Sequence, residues 1–349
     1  MEKRLQEFKK NFLELLLRFL WRQWSLLGVA GHAEAQDVWV IDPEALLVFS
    51  CSIGRYDQRL FDEMLDWLSV NERFINIQRL RTIIKKEHFQ AEAPLGAIAA
   101  YLSRENFTPK WKRLAEAGKN ENKAPESFFL LKSGAPLPVP QKKDEVFQSY
   151  GLIRNPVENR GLSNPFPAKT TPSLLLQMRA LIGVSARCEV LLYLLLHDKA
   201  TIQEIAGHTY YSWRSVQDTL FEMGRSGLVD FPGAKKGRTY RIQAEPWLKL
   251  LLKNPEQKIE WLCWPPLFRS LELVWQKLND SAFAGLSLLG QAVELRLLMK
   301  EQVAAKLEQG GLGGFAHSPR YYEGEEYLDA FLTMIHGIMN ALDTGRIRS

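Results

Sequence analysis

The stretch "TIQEIAGHTYYSWRSVQDTLFEMGRSGLVDF", Thr201 to Phe231, constrains the fold more than any other part of the chain. Thr201 is suited to cap a short helix, "IQEIAGHT", in which Ile202, Ile205 and Ala206 share one side. Ala206 is small at a place where a second helix must approach closely. After a turn at "HTYY", Ser212 is suited to cap a longer helix, Trp213 to Arg225. Its Val216, Leu220 and Met223 point to a core, and Gly227 ends it. An apolar helix from Arg187 to His197 precedes the pair and forms a floor. "LVDF" and "TYRIQ" follow as strand candidates, joined by "PGAKKGR", so that Lys235, Lys236 and Arg238 gather at a hairpin tip marked by Gly233 and Gly237.

Helix, helix-turn-helix and basic hairpin in this order form a unit able to grip DNA. A helix in the major groove uses its N-terminal residues on base edges, and Arg and Gln can make bidentate contacts to guanine and adenine. The expected base-reading residues are therefore Trp213, Arg214, Gln217 and Asp218. The expected phosphate contacts are Thr201, Ser212 and Ser215, with Lys235, Lys236 and Arg238 from the hairpin. Plainer roles exist for each: solvated helix residues, a Trp213 packed on the hairpin, a hydrated basic turn. His208 reads as a cap or packing residue rather than a pH sensor or metal ligand.

Ser185 to Gln243 resembles the winged helix-turn-helix domains of bacterial transcriptional regulators such as the MarR-like and ArsR-like groups. The residues that carry the resemblance are those of Thr201 to Phe231, with its threonine, paired apolar, alanine, serine, valine, leucine and final "GLV" pattern, and "GAKKGRTYRI" for the wing. It covers about a sixth of the chain. The resemblance implies a winged fold and a DNA-binding or protein-interaction role, since winged helices serve both. One departure is that Asp218 and Glu222 offset Arg214 and Arg225, leaving the reading helix neutral with the positive charge in the wing.

The flanks read as helical, which makes the fold class mainly α: a multi-domain helical protein with a central winged helix-turn-helix carrying a small β-hairpin wing. Residues 1–118 form an N-terminal helical domain, with one strand candidate at "DVWVI", Asp37 to Ile41. Its opening helix bears Phe8, Phe12, Leu15, Leu16, Phe19 and Leu20 at steps of three and four, a stripe for a core or a dimer. Glu14, Arg18 and Arg22 interrupt it too often for a membrane span. Within 42–86, Asp42 and Asp57 are suited to cap successive helices, and the third, "IQRLRTIIKK", carries Arg79, Arg81, Lys85 and Lys86. This is either a second helix-turn-helix or a structural helix with a solvated basic face.

Residues 119–172 concentrate Pro, Asn, Lys and Gly and read as a linker or as an arm docked through "FFLL" and "VFQSYGLI". The winged unit occupies 173–245, and 246–349 form a C-terminal helical domain rich in Leu and Trp, a pattern that suits core packing better than base stacking.

Composition narrows the remaining classes. The chain has 46% hydrophobic and 24% charged residues, and 45 Lys and Arg against 40 Asp and Glu give +5, which permits an anionic partner without requiring one. Cys51, Cys188 and Cys263 are widely spaced and form no metal-ligand pattern, as befits buried thiols in a reducing cytoplasm. No phosphate loop, HExxH, GxSxG or dinucleotide fingerprint occurs, and "GGLGGF" at 310–315 follows a helix instead of a strand. Asp57, Asp62, Glu63 and Asp66 crowd one helix without a second cluster to complete a site.

The expectation is a cytoplasmic, bacterial, non-enzymatic regulator without cofactor or metal. Its partner would be double-stranded DNA, bound as a homodimer, with a further protein partner through the helical domains and no membrane contact. The competing expectation is a winged-helix interaction module or an antitoxin-type component of a toxin-antitoxin or phage-defence complex. A third is an enzyme with an unfamiliar site, whose sign would be a deep pocket of convergent charges.

Overall fold

Nearly all regular structure is helical, as the dominant spacing of three to four between apolar residues requires. A computed structural model describes residues 2–30, 38–106, 109–119, 124–230, 238–257 and 259–346. Helix α1 (Glu2–Leu26) buries Phe8, Phe12, Leu16, Phe19 and Leu20, with Leu15 half-buried, so its apolar stripe faces the core of its own chain. Asp42 caps α2 (Pro43–Ile53) by accepting the Ala45 N–H at 3.0 Å, and Asp57 caps α3 (Gln58–Asn71) through Leu60. Helices α4 (Ile77–Glu87), α5 (Glu92–Asn106) and α6 (Lys112–Ala117) complete this group. Helices α5 and α6 close on two glycines: a Cβ on Gly118 would lie 2.6 Å from the Cα of Gly96, so neither position accommodates a side chain unless the helices part.

The Pro-rich segment packs as an arm over α3. Its two short strands, β1 (Glu126–Ser127) and β2 (Leu152–Ile153), pair in parallel, Glu126 opposite Leu152, and α7 (Glu145–Gln148) lies between them in sequence. Phe128, Phe129 and Phe147 surround Phe61 of α3 at centroid distances of 4.7, 5.9 and 6.1 Å. The acidic residues of α3 hold this arm. Asp62 pairs with buried Arg154 at 2.5 Å, Glu63 faces Arg160, and Asp66 accepts the N–H groups of Gly161, Leu162 and Ser163.

Helices α8 (Leu174–Ile182), α9 (Ala186–Leu196), α10 (Ile202–Thr209), α11 (Trp213–Arg225) and α12 (Ala244–Leu251) gather around a second core of Leu191, Leu194, Ile205, Val216, Leu220 and their neighbours. Beyond it, α13 (Trp264–Asn279) runs buried against α1, α2 and α4. Helices α14 (Ser281–Ala284), α15 (Leu288–Leu298), α16 (Ala304–Gln309) and α17 (Glu326–Thr344) follow, with a π-helical turn at Met299–Val303. Helices α1–α6 and α13–α17 thus share one core, and the chain leaves it at 173 to build the second and returns. Each large side chain buried there contributes about 1.5–3 kcal/mol. Trp24, Trp39, Trp67, Trp111 and Trp264 are buried in the first core, each with its indole N–H donated to a protein oxygen. Among the described residues no helix is long and apolar enough to cross a membrane.

Two strand expectations are corrected. "DVWVI" contributes only a single parallel bridge, Trp39 to Glu260, from its described residues, and Asp37 lies outside them. The hairpin wing is absent among the described residues, where the only two-stranded sheet is the parallel pair of the arm. In place of wing strands there are two single antiparallel bridges, Ala200 with Tyr240 and Asp230 with Arg241. Neighbouring groups are engaged elsewhere. The N–H groups of Leu228 and Val229 turn back to the Met223 carbonyl at the end of α11, and Gln243 is the cap position of α12. The tip with Lys235 and Lys236 lies outside the described residues, whereas Arg238 is half-buried.

Candidate functional site

Helices α9, α10 and α11 pack on one another, with residues 210–212 as the turn between α10 and α11. Thr201 and Glu204 make a reciprocal capping box: the Thr201 hydroxyl accepts the Glu204 N–H, and the Glu204 carboxylate accepts the Thr201 N–H at 2.7 Å and its hydroxyl proton at 2.8 Å. These bonds hold the Glu204 carboxyl below the usual carboxylate range. A carboxylate on Thr201 also repels an incoming phosphate, so the hydroxyl serves the helix start. Tyr210 turns the chain in the left-handed region (φ 65°), and Ser212 caps α11 by accepting the Ser215 N–H at 3.1 Å. Val216, Leu220 and Met223 are buried, and the Ala200–Tyr240 bridge, with N···O distances of 3.0 and 2.8 Å, ties the return chain to the connection between α9 and α10.

The four residues expected to face bases do share one solvent-facing side. Trp213 is 53% exposed, and Arg214, Gln217 and Asp218 are exposed beside it. The charges on this side are largely internal. Arg214 lies 4.0 Å from Asp218, and Glu222 accepts from Arg187 of α9 at 2.5 Å. Phe221, 64% exposed, continues the Trp213–Gln217 row one turn further, with the Arg225 guanidinium 5.9 Å from its ring.

Helix periodicity gives no sign of what positions this helix. The turn between α10 and α11 is seated along α4 of the first core. Arg79 Nε donates to the Thr209 carbonyl at 2.9 Å, the Asn76 amide meets the Tyr211 hydroxyl at 2.7 Å, and the Tyr210 hydroxyl donates to Glu87 at 2.6 Å. Behind the turn lies a buried ion network. Glu44 accepts from Arg79 (2.7 Å), from Arg179 (2.6 and 2.8 Å) and from the Asn76 N–H (2.7 Å), while Arg79 also holds Asp42 and Arg179 also holds Glu189. Burial raises the Asp42 pKa, but the Arg79 guanidinium outweighs it and leaves the carboxyl below its ordinary value. A sequence signal for this network does exist: Glu44, Arg179 and Glu189 each interrupt an otherwise apolar helical run, in "PEALLVFS", "LLLQMRALI" and "CEVLLYLLL".

His208 packs as expected at the end of α10, with Nδ1 2.8 Å from the Glu204 carbonyl. The fold also brings His197 near it across Tyr193, which stacks on His197 at 3.9 Å and lies 5.3 Å from His208. Helix periodicity alone does not reveal that pairing either.

Elsewhere, a cleft of about 840 Å³ opens beside α2 and α13, lined by Tyr56, Trp275, Glu272 and Asn279. Two of its charged side chains are engaged: Glu272 takes Arg269 at 2.5 Å, and Arg55 donates to the carbonyls of Ser127 and Phe128 and lies 3.6 Å from Glu126. Cys51 at its wall is buried, which pushes the thiol pKa up and keeps it protonated. Among the described residues no group of three His, Cys, Asp or Glu side chains is placed to hold a metal ion. Comparison of the chain with models of protein families, with curated proteins and with solved structures finds no match in any of the three.

Proposed function

We propose that the helix-turn-helix unit at 185–243 binds double-stranded DNA, and that the protein is a cytoplasmic transcriptional regulator. The observation that carries this reading is the N-terminal half of α11. Trp213, Arg214, Gln217 and Asp218 project together from a capped helix whose other side is locked into a core, the presentation that base reading in a major groove requires. The Arg214–Asp218 contact is long and solvated, so Arg214 exchanges it for a guanine edge at little cost. As a homodimer the protein would set two such helices one turn of DNA apart, about 34 Å, over an inverted repeat.

The test is binding of the full chain to a labelled fragment of its own upstream DNA with excess nonspecific competitor. Competitor-resistant binding that disappears in Arg214→Ala and Gln217→Ala supports the reading. Absence of binding, or equal removal by competitor from all three proteins, defeats it. A second reading, a helix-turn-helix interaction module or antitoxin-type component, is favoured by a specific observation: Trp213 and Phe221 expose two aromatic rings on the same helix, and such rings are common anchors of protein interfaces. Phe221→Ser separates the readings, because it removes an apolar anchor two turns from the base-facing end and leaves DNA binding intact.

A further inference from the structure

We infer that α15 is the surface through which two copies of this chain pair: its exposed row of Leu286, Leu289, Val293 and Leu297 packs on the same row of a second copy. The choice of a second copy rests in part on the DNA-binding reading above, which calls for a homodimer, and the pairing is measured without DNA.

Helix α15 is apolar on two sides. Ala292, Leu295 and Leu298 are buried on the side that packs on α17. On the other side Leu286, just before the Ser287 cap, and Leu289, Val293 and Leu297 follow at steps of three, four and four, each 41 to 52% exposed except Leu297 at 43%. Single exposed apolar residues are ordinary on a protein surface, whereas a continuous row over about three turns marks a contact surface. A helix apolar all round belongs where both sides are covered. A neighbouring segment widens the patch. Arg296 donates to the Tyr322 carbonyl at 2.7 Å, and a Cβ on Gly324 would come within 4.0 Å of Leu289, which brings the exposed Tyr321 and Tyr322 next to the row.

Shape favours a second copy as the occupant. Residues four apart form a ridge, and the commonest helix pairing sets such a ridge of one helix beside the same ridge of another, crossing at about 50°. A second copy presents the matching ridge by symmetry, with Val293 near the two-fold axis and Leu289 facing Leu297 of the second copy. Gly290 beside Val293 leaves room for that approach, since the nearest atoms its Cβ would meet belong to Leu286 and Ser287 of its own turn.

Charge argues against a membrane. Glu294 pairs with Lys277 at 2.8 Å, Arg296 lies beside Tyr322 and the exposed Glu323, and Lys300 and Glu301 at the end of the row offset each other. The patch thus lacks the excess of Lys and Arg with which an interfacial helix holds an anionic lipid surface. Area is of the right order as well. The row and the two tyrosines offer on the order of 500 Å², the greater part of the about 800 Å² that each partner buries in a standard interface. The stripe on α1, the other candidate for pairing, is buried within its own chain.

The experiment is sedimentation equilibrium of the full chain from about 1 to 50 μM, a range that brackets a micromolar dimer. The wild type should reach twice the mass of one chain. L289E/V293E should weaken pairing by at least about a hundredfold, because it places charges at the centre of the apolar contact. L289Q/L297Q, built from a good helix former, should also become largely monomeric, and both should keep the helical circular dichroism of the wild type. L181E/L250E, which alters exposed leucines on α8 and α12, should stay dimeric. A wild type that is monomeric at about 50 μM overturns the inference, and so does pairing that survives in both α15 variants or is lost equally in L181E/L250E. A monomeric wild type that floats with phosphatidylcholine vesicles assigns the row to lipid instead. If α15 pairs the chains while no form binds the upstream duplex, the inference stands and the reading of α11 falls. A monomeric wild type whose competitor-resistant DNA binding disappears in R214A gives the reverse.

Discussion

Glu44 shows how much a single side chain decides in this molecule. It is fully buried, accepts hydrogen bonds from two guanidinium groups and one backbone amide, and faces the N-terminus of α4 from α2. Removing one partner from such a network leaves an uncompensated buried charge, so Glu44→Ala should lose about 3–5 kcal/mol, read as a lower urea midpoint at constant slope. His197 supplies a pH dependence. Burial lowers its pKa, with the charge of His208 acting the same way, against the Tyr193 carbonyl and the carboxylates of Glu204 and Asp198. The unfolded chain takes up this proton near pH 6.5, before the folded ring does, so the stability conferred by neutral His197 is complete above that pH. It is lost as pH falls through the lower folded-state value. The thermal midpoint should therefore drop between about pH 7.5 and pH 5.5, by less in His197→Phe, which keeps the stack on Tyr193 without the titration. Glu44 stands out in the sequence as a charge in an apolar helical run, but the histidine pairing is not legible there, since no periodicity tells that two histidines eleven positions apart lie on either side of one tyrosine.

At the scale of elements the helices of the helix-turn-helix follow from their own residues. Ala206, Val216, Leu220 and Met223 set the faces, and Thr201 and Ser212 set the starts, because capping and amphipathic spacing are local causes. Thr201→Ala removes half of the capping box and should cost about 1 kcal/mol, with amide exchange accelerated first in α10. Gly118→Ala should be worse than an ordinary helix-end change, because its Cβ meets the backbone of α5. Circular dichroism melting of the two variants should rank them in that order. The strand expectations failed for an equally local reason: Leu228, Val229 and Gln243 serve helix ends, which alternation of apolar and polar residues does not register.

On the scale of the whole molecule, the helix-turn-helix is tied to the first core by Arg79, Arg179, Glu44, Tyr210 and Tyr211, so the two cores should unfold together. Arg179→Met keeps bulk but deletes the links to Glu44 and Glu189; hydrogen exchange in α10 and α11 should then speed up well before exchange in α13, whereas the two rise in step in the unaltered chain. The sequence by itself determined the helical class, the caps and faces of α10 and α11, and the exposure of Trp213, Arg214, Gln217 and Asp218, because each depends on neighbours within about two turns. Only the tertiary structure decided that the first and last helices share a core, that the Pro-rich segment is an arm held by the acids of α3, and that α4 lies against the turn before α11. Those depend on contacts between residues about ninety or more positions apart, such as Asp62 with Arg154, Arg79 with Thr209 and Glu44 with Arg179, and spacing along the chain carries no information about which distant charge a buried charge will meet.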